Sequence, residues 1–387
     1  MKSIKKSFLR LPVFLFFILF IFNSPDIFPQ DFMLSSYWDF YSNNYLSSQS
    51  SARGFSGIAA ENDLIGTVLN PATLTVNKKW SFSGEYIYKS NVSWPRPNGF
   101  PDFDLRQYHP TLSAGVGYKI SNCFAAGIMY DYGNSYMNVL DFVRTNEFGE
   151  PIGTYEVYDK TSISNISMPI VFNYKNVLKV GVSLNYSFFH RVMGPLGNVG
   201  NELAEDEVKA NFQKFYPQAG IVVSPIKQWS IGFVFKPEIR GKLVWEFPDG
   251  TTNINGDDNI IPLHIGAGTK VCLSKIKLNL YADYNFYQTS VEDIMKDRHN
   301  FNVGAEYNYD KNLLLKLGFF TMLDNRNFDI NPSWTDAKGK YTQYFVTLGA
   351  SYTHKKLTYS FAMMDSHLFS TGLIKQTLLN AGVRLDL

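Results

Sequence analysis

From Trp80 to Leu387 apolar residues recur at every second position over short stretches, and polar turn residues separate the stretches. A period of two belongs to a β-strand, whose successive side chains point to opposite faces. Fourteen strands can be read: 80–88, 112–120, 124–132, 166–174, 178–188, 215–223, 229–235, 261–271, 276–286, 301–309, 313–319, 344–352, 357–363 and 379–387. The seventh can be extended through Leu243 and Trp245. The links alternate in length. Those after even-numbered strands are short and polar, such as Ser121-Asn122 and Lys175-Asn176. Those after odd-numbered strands (91–107, 133–160, 190–211, 247–258, 287–298, 323–341 and 365–375) are long.

An even set of hairpins with short turns at one end and long links at the other is the pattern of a transmembrane β-barrel. The predicted fold is all-β, a fourteen-stranded antiparallel transmembrane β-barrel, with its short turns and both ends of the barrel segment on the periplasmic side. Lipid offers no hydrogen-bond partners, so every strand edge must be closed against another. Tyr and Trp gather near strand ends, where an amphipathic ring suits the headgroup layer; we read them as membrane anchors.

The N-terminus places this barrel. A basic start with Lys2, Lys5, Lys6 and Arg10 leads into the apolar run from Val13 to Phe22. That run is too short to span a bilayer as a helix and reads as a secretory signal peptide. Phe28-Pro29-Gln30 lacks the small-residue cleavage pattern, and cleavage after Gln30 is the boundary adopted. No Cys follows the apolar run, which argues against lipid attachment. The expected organisation is a signal peptide at 1–30, a plug or hatch at 31–79 and the barrel at 80–387, in the outer membrane of a Gram-negative cell and surrounded by its lipid. The chain has 16% aromatic and 18% charged residues. Removing 1–30 takes four basic residues and Asp26 from totals of 36 and 34, leaving 32 and 33. Such a balance argues against a nucleic-acid partner. Cys123 and Cys272 fall at turns half a barrel apart and are expected to be unpaired thiols.

Inward positions of the strands are mixed. They include the charged residues Glu85, Lys119, Asp131, Lys179, Lys236, Lys270, Asp283, Glu306, Lys316 and Arg384, and many glycines, among them Gly115, Gly181, Gly232, Gly304 and Gly318. Two readings of these glycines fit: close approach by another piece of backbone, or relief of curvature in the wall. Residues 31–79 show no sustained strand period and are polar and aromatic-rich. They are long enough to enter the lumen; the other reading is a periplasmic extension.

Within that segment Ser51-Ala-Arg-Gly-Phe-Ser-Gly-Ile-Ala-Ala60 leads to Val68-Leu-Asn-Pro-Ala-Thr-Leu74. Here the chain resembles the FadL family of outer-membrane transporters, which carry an Arg-Gly-x-x-Gly stretch followed by Asn-Pro-Ala in an N-terminal hatch. Arg53, Gly54, Gly57, Asn70, Pro71 and Ala72 match that pattern. Thr73 stands where the family usually has Gly, and the chain ends in Leu387 where many barrels end in Phe. The resemblance implies passive uptake of hydrophobic small molecules such as long-chain fatty acids or hydrocarbons. The ligand would bind in the lumen among polar residues such as Lys179, Lys236, Asp283, Glu306, Lys316 and Arg384, the hatch would shift, and the molecule would leave sideways through the wall. Proline cannot donate to a strand ladder. Pro169, inside the fourth strand, is the candidate wall opening; Gly127 in the third strand is the alternative by family analogy, and a functionally silent bulge is the plain reading of such a proline. Pro217, Pro237 and Pro262 lie nearer the external rim.

PorV-like proteins of type IX secretion resemble the same architecture and bind exported proteins, which gives an alternative function. The large links 133–160 and 190–211 would then offer a binding surface, with a short helix expected over Glu202–Phe215. An enzyme is disfavoured: none of His109, His190, His264, His299, His354 and His367 falls in a Ser/His/Asp arrangement. No metal or cofactor is expected. The acidic stretch Asp249–Asp258 lacks the ligand order of a calcium loop.

Overall fold

The computed structural model describes residues 47–387 apart from 61, 91, 95–102, 108–110, 146–150, 197, 200–201, 204–207, 247–251, 289–295, 324–341 and 370–374. The expected signal peptide (1–30) and residues 31–46 lie outside the described residues.

Twenty strands follow in order: β1 (Trp80–Lys89), β2 (Val92–Trp94), β3 (Phe103–Gln107), β4 (Thr111–Lys119), β5 (Phe124–Thr145), β6 (Pro151–Tyr174), β7 (Leu178–Leu196), β8 (Asn198–Val199), β9 (Glu202–Leu203) and β10 (Val208–Ile226). Then come β11 (Trp229–Lys236), β12 (Ile239–Glu246), β13 (Thr252–Ile261), β14 (Leu263–Leu273), β15 (Leu278–Gln288), β16 (Arg298–Asn308), β17 (Leu313–Met322), β18 (Gln343–His354), β19 (Leu357–Asp365) and β20 (Thr377–Asp386). Fourteen of them (β1, β4–β7, β10, β11 and β14–β20) form the wall, each antiparallel to the next. β20 closes the ring on β1, with Ser81 opposite Asp386 and Lys89 opposite Leu378. The structure is therefore the fourteen-stranded closed barrel that the alternation predicts.

The two faces separate as the period of two requires. On β19, Tyr359, Phe361 and Met363 are exposed on the outside while Thr358, Ser360, Ala362 and Met364 are buried inside. Trp80 packs on Tyr118 across β1 and β4, with ring centroids 4.4 Å apart, at the short-turn end of the apolar belt. The short turn between β6 and β7 is closed by Val177 N, which donates to Tyr174 O at 2.9 Å. Lys175 and Asn176 both have positive φ there, the combination that matches strand twist.

Several strands run past their sequence-based limits. β5 has 22 residues, β6 has 24, and β7 and β10 have 19 each, whereas roughly 9–11 residues suffice to cross a bilayer. Much of 133–160 and 190–211 is thus hairpin continuing beyond the lipid, not loop. The helix expected over Glu202–Phe215 does not form: β9 and β10 occupy its described residues. Without lipid on one face, the apolar alternation fades and the strand signal fades with it. The proposed extension of the seventh strand is a separate strand, β12, beyond Pro237, and Pro262 likewise divides β13 from β14. Cys123 and Cys272 are unpaired.

Described residues between 47 and 76 pack against the inner face of the wall. They contain one four-residue helix, α1 (Ser48–Ser51), and two 3-10 turns, Ile65–Val68 and Pro71–Thr73. Ala52, Ile58, Leu64, Ile65 and Ala72 are buried. The inward glycines meet this segment directly. A methyl group on Gly232 would strike Ile58 and Ala59 backbone, one on Gly181 would strike Pro71 and Ala72 backbone, and one on Gly304 would strike Arg53. Close approach, not wall curvature, is what these positions serve. They form a belt near the short turns: Gly117 faces Gly127, Gly220 faces Gly181, Gly232 faces Gly268 and Gly304 faces Gly318 in register.

Candidate functional site

The site is built where the N-terminal segment meets the wall, and the two sides of that contact differ. On the side of β15–β18 the contact is polar. Arg53 is buried, and its Nη1 donates to Glu306 Oε1 at 3.0 Å. Lys316 Nζ lies 3.6 Å from the same oxygen, and the Tyr281 hydroxyl donates to Glu306 Oε2. A carboxylate shared by two cations and a phenol is the form in which buried charge is tolerated. Arg53 also donates from Nε to Ser56 O and from Nη2 to Asn62 Oδ1, and its guanidinium stands 5.1 Å from the Tyr281 ring centre.

Backbone groups of the segment are claimed by the same wall. Asp283 Oδ2 accepts from the amides of Gly57 and Ile58 at 2.5 and 2.9 Å. Asn302 Nδ2 donates to Gly54 O at 2.8 Å, and Gly54 N donates to Thr347 Oγ1 at 3.0 Å. Gly54 has φ +67°, and a side chain there would run into β17 backbone at 2.6 Å, so two independent reasons require glycine.

The Asn-Pro-Ala turn lies across the lumen against β7 and β10. Asn70 caps it, its Oδ1 accepting from Ala72 N at 2.9 Å, while its Nδ2 donates to Ile58 O and to Phe233 O of β11. Asn62 joins the two motifs: it accepts from Arg53 and donates to Thr73 Oγ1 at 3.1 Å. Thr73 in turn donates to Asn70 O at 2.6 Å. The Thr73 hydroxyl thus has two partners that a glycine there would leave unmatched.

On the side of β4–β6 the contact is aliphatic. The Leu64 methyl groups pack against Gly115 and Gly127, and Val76 against Gly117. Here the strand ladder lacks two rungs. β5 and β6 pair from Phe124–Phe172 to Ala126–Ile170 and resume at Met129–Ser167 in the same register. In that register Gly127 stands opposite Pro169 and Ile128 opposite Met168, and neither is paired across the two strands. Neighbouring ladders continue, with Gly127 opposite Gly117 and Pro169 opposite Ser183. Pro169 has no N–H to give, and Gly127 has no side chain to fill the seam.

The lumen beyond the segment, toward the long links, is also divided. One arc is apolar: Ile87, Phe320, Met322, Phe345, Met364 and Leu378 cluster with Phe55, and Phe320 stacks on Phe345 with centroids 4.5 Å apart. The opposite arc is polar and holds a cavity of about 20 Å³ lined by Val68, Asp131, Asn165, Ser167, Asn185, Tyr216, Gln218, Lys236 and His264. That is the volume of one or two water molecules, not of an organic solute.

The structure brings Arg53, Gly54, Gly57, Asp283, Glu306 and Lys316 together, and Asn70, Pro71 and Ala72 join them through Asn62. Lys236 stands apart at the polar cavity. Lys179 and Arg384 lie nearer the short turns, Arg384 Nε being 3.2 Å from Asp386. Sequence reading singled out neither Asn62, Thr347 and Asn302 nor Leu64, the residue seated on the seam. Leu64 follows the polar pair Asn62-Asp63 and opens the apolar step Leu64-Ile65, which is the one signal available.

A closed ring with an apolar outer face, a polar interior and fourteen antiparallel strands is an outer-membrane β-barrel. Its fold is that of the FadL-type transporters. The chain is similar to the Ralstonia pickettii toluene transporter TbuX, with a TM-score of 0.60 and 15% identity over 89% of this chain and 98% of that one. A FadL homologue of Pseudomonas aeruginosa gives a TM-score of 0.61 at 12% identity, over 88% and 98% of the two chains. The Pseudomonas putida toluene transporter TodX gives 0.58 at 12% identity, over 87% and 96%. At these identities the likeness is one of fold. No family model and no curated protein matches the sequence.

Proposed function

We propose that this protein is an outer-membrane channel for passive uptake of hydrophobic small molecules, with residues 31–79 as its hatch and the seam between β5 and β6 as its lateral exit. The observation that carries this reading is the gap in strand pairing at Gly127 and Pro169, covered from within by the side chain of Leu64. An apolar solute gains nothing from a water-filled pore, but it can pass into lipid where backbone groups are not tied across the wall. The apolar arc around Phe320 and Phe345, now covered by Phe55 of the segment, would line the path of such a molecule once the segment shifts. Similar folds belong to proteins described as toluene transporters, which agrees with this solute class.

The test is uptake of labelled oleate and of toluene by cells lacking their own transporters for them. Expression of this chain should raise uptake of at least one, and Leu64→Trp, which fills the seam from inside, should abolish the gain. The secretion-partner reading draws support from a single feature, the extension of β5, β6, β7 and β10 beyond the lipid. Absence of uptake together with co-purification of an exported protein would select it.

A further inference from the structure

Charge is unevenly distributed along the barrel axis. The chain as a whole is nearly balanced, with 36 basic and 34 acidic residues. At the short-turn end that balance fails. Lys78 and Lys79 lead into β1, and five of the six short turns carry lysine. The β6–β7 turn holds Lys175, the β10–β11 turn Lys227 and the β16–β17 turn Lys311. The β14–β15 link holds Lys275 and Lys277, and the β18–β19 turn Lys355 and Lys356. All of these are exposed, and among the described residues none is in an ion pair. Among the described residues the acidic ones at this end are Asp310 and Asp386, and both are engaged. Asp310 accepts from the amides of Asn312 and Leu313, and Asp386 pairs with Arg384. In sequence the long links have the other bias: residues 202–207 alone contain Glu202, Glu205, Asp206 and Glu207 and no base.

Turn geometry does not account for these lysines. Lys175, Lys277 and Lys355 have φ of 52°, 56° and 57°, positions at which glycine or asparagine is favoured. Lysine there works against local preference, so its charge calls for a different explanation. Their height supplies one. Trp80, Tyr174, Trp229 and Tyr309 are exposed on the outer face at the edge of the apolar belt, each within two residues of a lysine. Lys175 Nζ stands 5.2 Å from the centre of the Tyr174 ring. Ammonium groups on flexible stems just beyond an aromatic girdle sit at headgroup level. They also encircle the barrel, which suits a surrounding lipid layer and not the one-sided footprint of a protein.

We infer that this lysine ring binds the anionic headgroups of phospholipids, such as phosphatidylglycerol, in the leaflet that faces the short turns. Each lysine attracts a phosphodiester through its exposed ammonium group, and the ring gathers an anionic annulus at the level where the seam between β5 and β6 meets lipid. The inference is independent of what the channel carries.

The test uses the full chain in phosphatidylcholine bilayers doped with brominated phosphatidylglycerol or brominated phosphatidylcholine, read through quenching at the rim residues Trp80 and Trp229. The wild type should favour the anionic lipid by ~3-fold or more, and the preference should vanish near 1 M salt, where screening acts within about 3 Å. Replacing the seven turn lysines by glutamine should bring the ratio to unity, while replacing them by arginine should preserve it. Should the glutamine variant fail to insert, the arginine variant and the salt titration of the wild type still decide. Equal quenching of the wild type by both lipids would overturn the inference. So would an anionic preference unchanged in the glutamine variant, or capture of an acidic periplasmic protein by the ring without any lipid preference.

Discussion

The N-terminal segment touches opposite sides of the same barrel by different means. Against β15–β18 it is held by a buried Arg53–Glu306–Lys316 cluster and by backbone amides bound to Asp283 and Thr347. Against β4–β6 it rests on Leu64 and Val76 methyl groups over glycine. Charged and hydrogen-bonded contacts cannot be replaced by a hydrophobic solute without stranding buried polar groups. Aliphatic contacts can be, because one apolar group substitutes for another at little cost. On the proposed reading the anchored side is the one that stays, and the aliphatic side, which faces the seam, is the one a ligand would displace.

The heaviest blow to this contrast is Glu306→Gln. It removes the carboxylate that buried Arg53 and Lys316 share and should cost ~3–5 kcal/mol. We expect a lower unfolding temperature in detergent and higher small-ion conductance in planar bilayers; unchanged conductance would mean the cluster does not hold the segment in the lumen. Next is Leu64→Ala, which removes buried methyl groups at the seam for ~2–3 kcal/mol. It should raise uptake of a hydrophobic probe while leaving ion conductance low, the reverse emphasis from Glu306→Gln. Thr73→Gly removes the hydroxyl between Asn62 and Asn70 and should cost about 1 kcal/mol, seen as a small drop in unfolding midpoint. The mildest is Pro169→Ala. It restores an N–H opposite Gly127, and the amide hydrogens around Met168 should exchange more slowly as the seam tightens, with slower uptake and a stability change below ~1 kcal/mol.

These contrasts also explain what could be read from the chain. Lipid imposes its rule at every second residue, so Phe361, Met363 and their counterparts announced the outer face of each strand. The rule stops where lipid stops, which is why β5 and β6 continue unannounced through 133–160. The belt of inward glycines was visible but ambiguous, since Gly181 and Gly232 look the same whether they relieve strain or admit a neighbour. Arg53 stood out as a charge in a run of small residues. Its partner Glu306 lies 253 positions away, and no local pattern joins them. Pro169 and Gly127 each drew notice, the one for its missing donor and the other by analogy. That they face each other across one seam follows only from the register of β5 on β6. Thr73 read as a departure from a motif, and its hydroxyl proves to bridge the two halves of the segment.

A segment that moves at the seam and stays fixed at the cluster would respond differently to a tether at each place. Paired cysteines test this in a background where Cys123 and Cys272 are serine. One pair, at positions 64 and 127, ties Leu64 to the seam; the other, at positions 48 and 360, whose serine hydroxyls lie 2.6 Å apart, ties the segment to the wall on the anchored side. Uptake of a labelled hydrophobic probe is then measured before and after reduction. The account predicts that the first bridge blocks uptake until it is reduced and that the second leaves uptake unchanged. Free uptake with the first bridge closed, or a block imposed by the second, would contradict it.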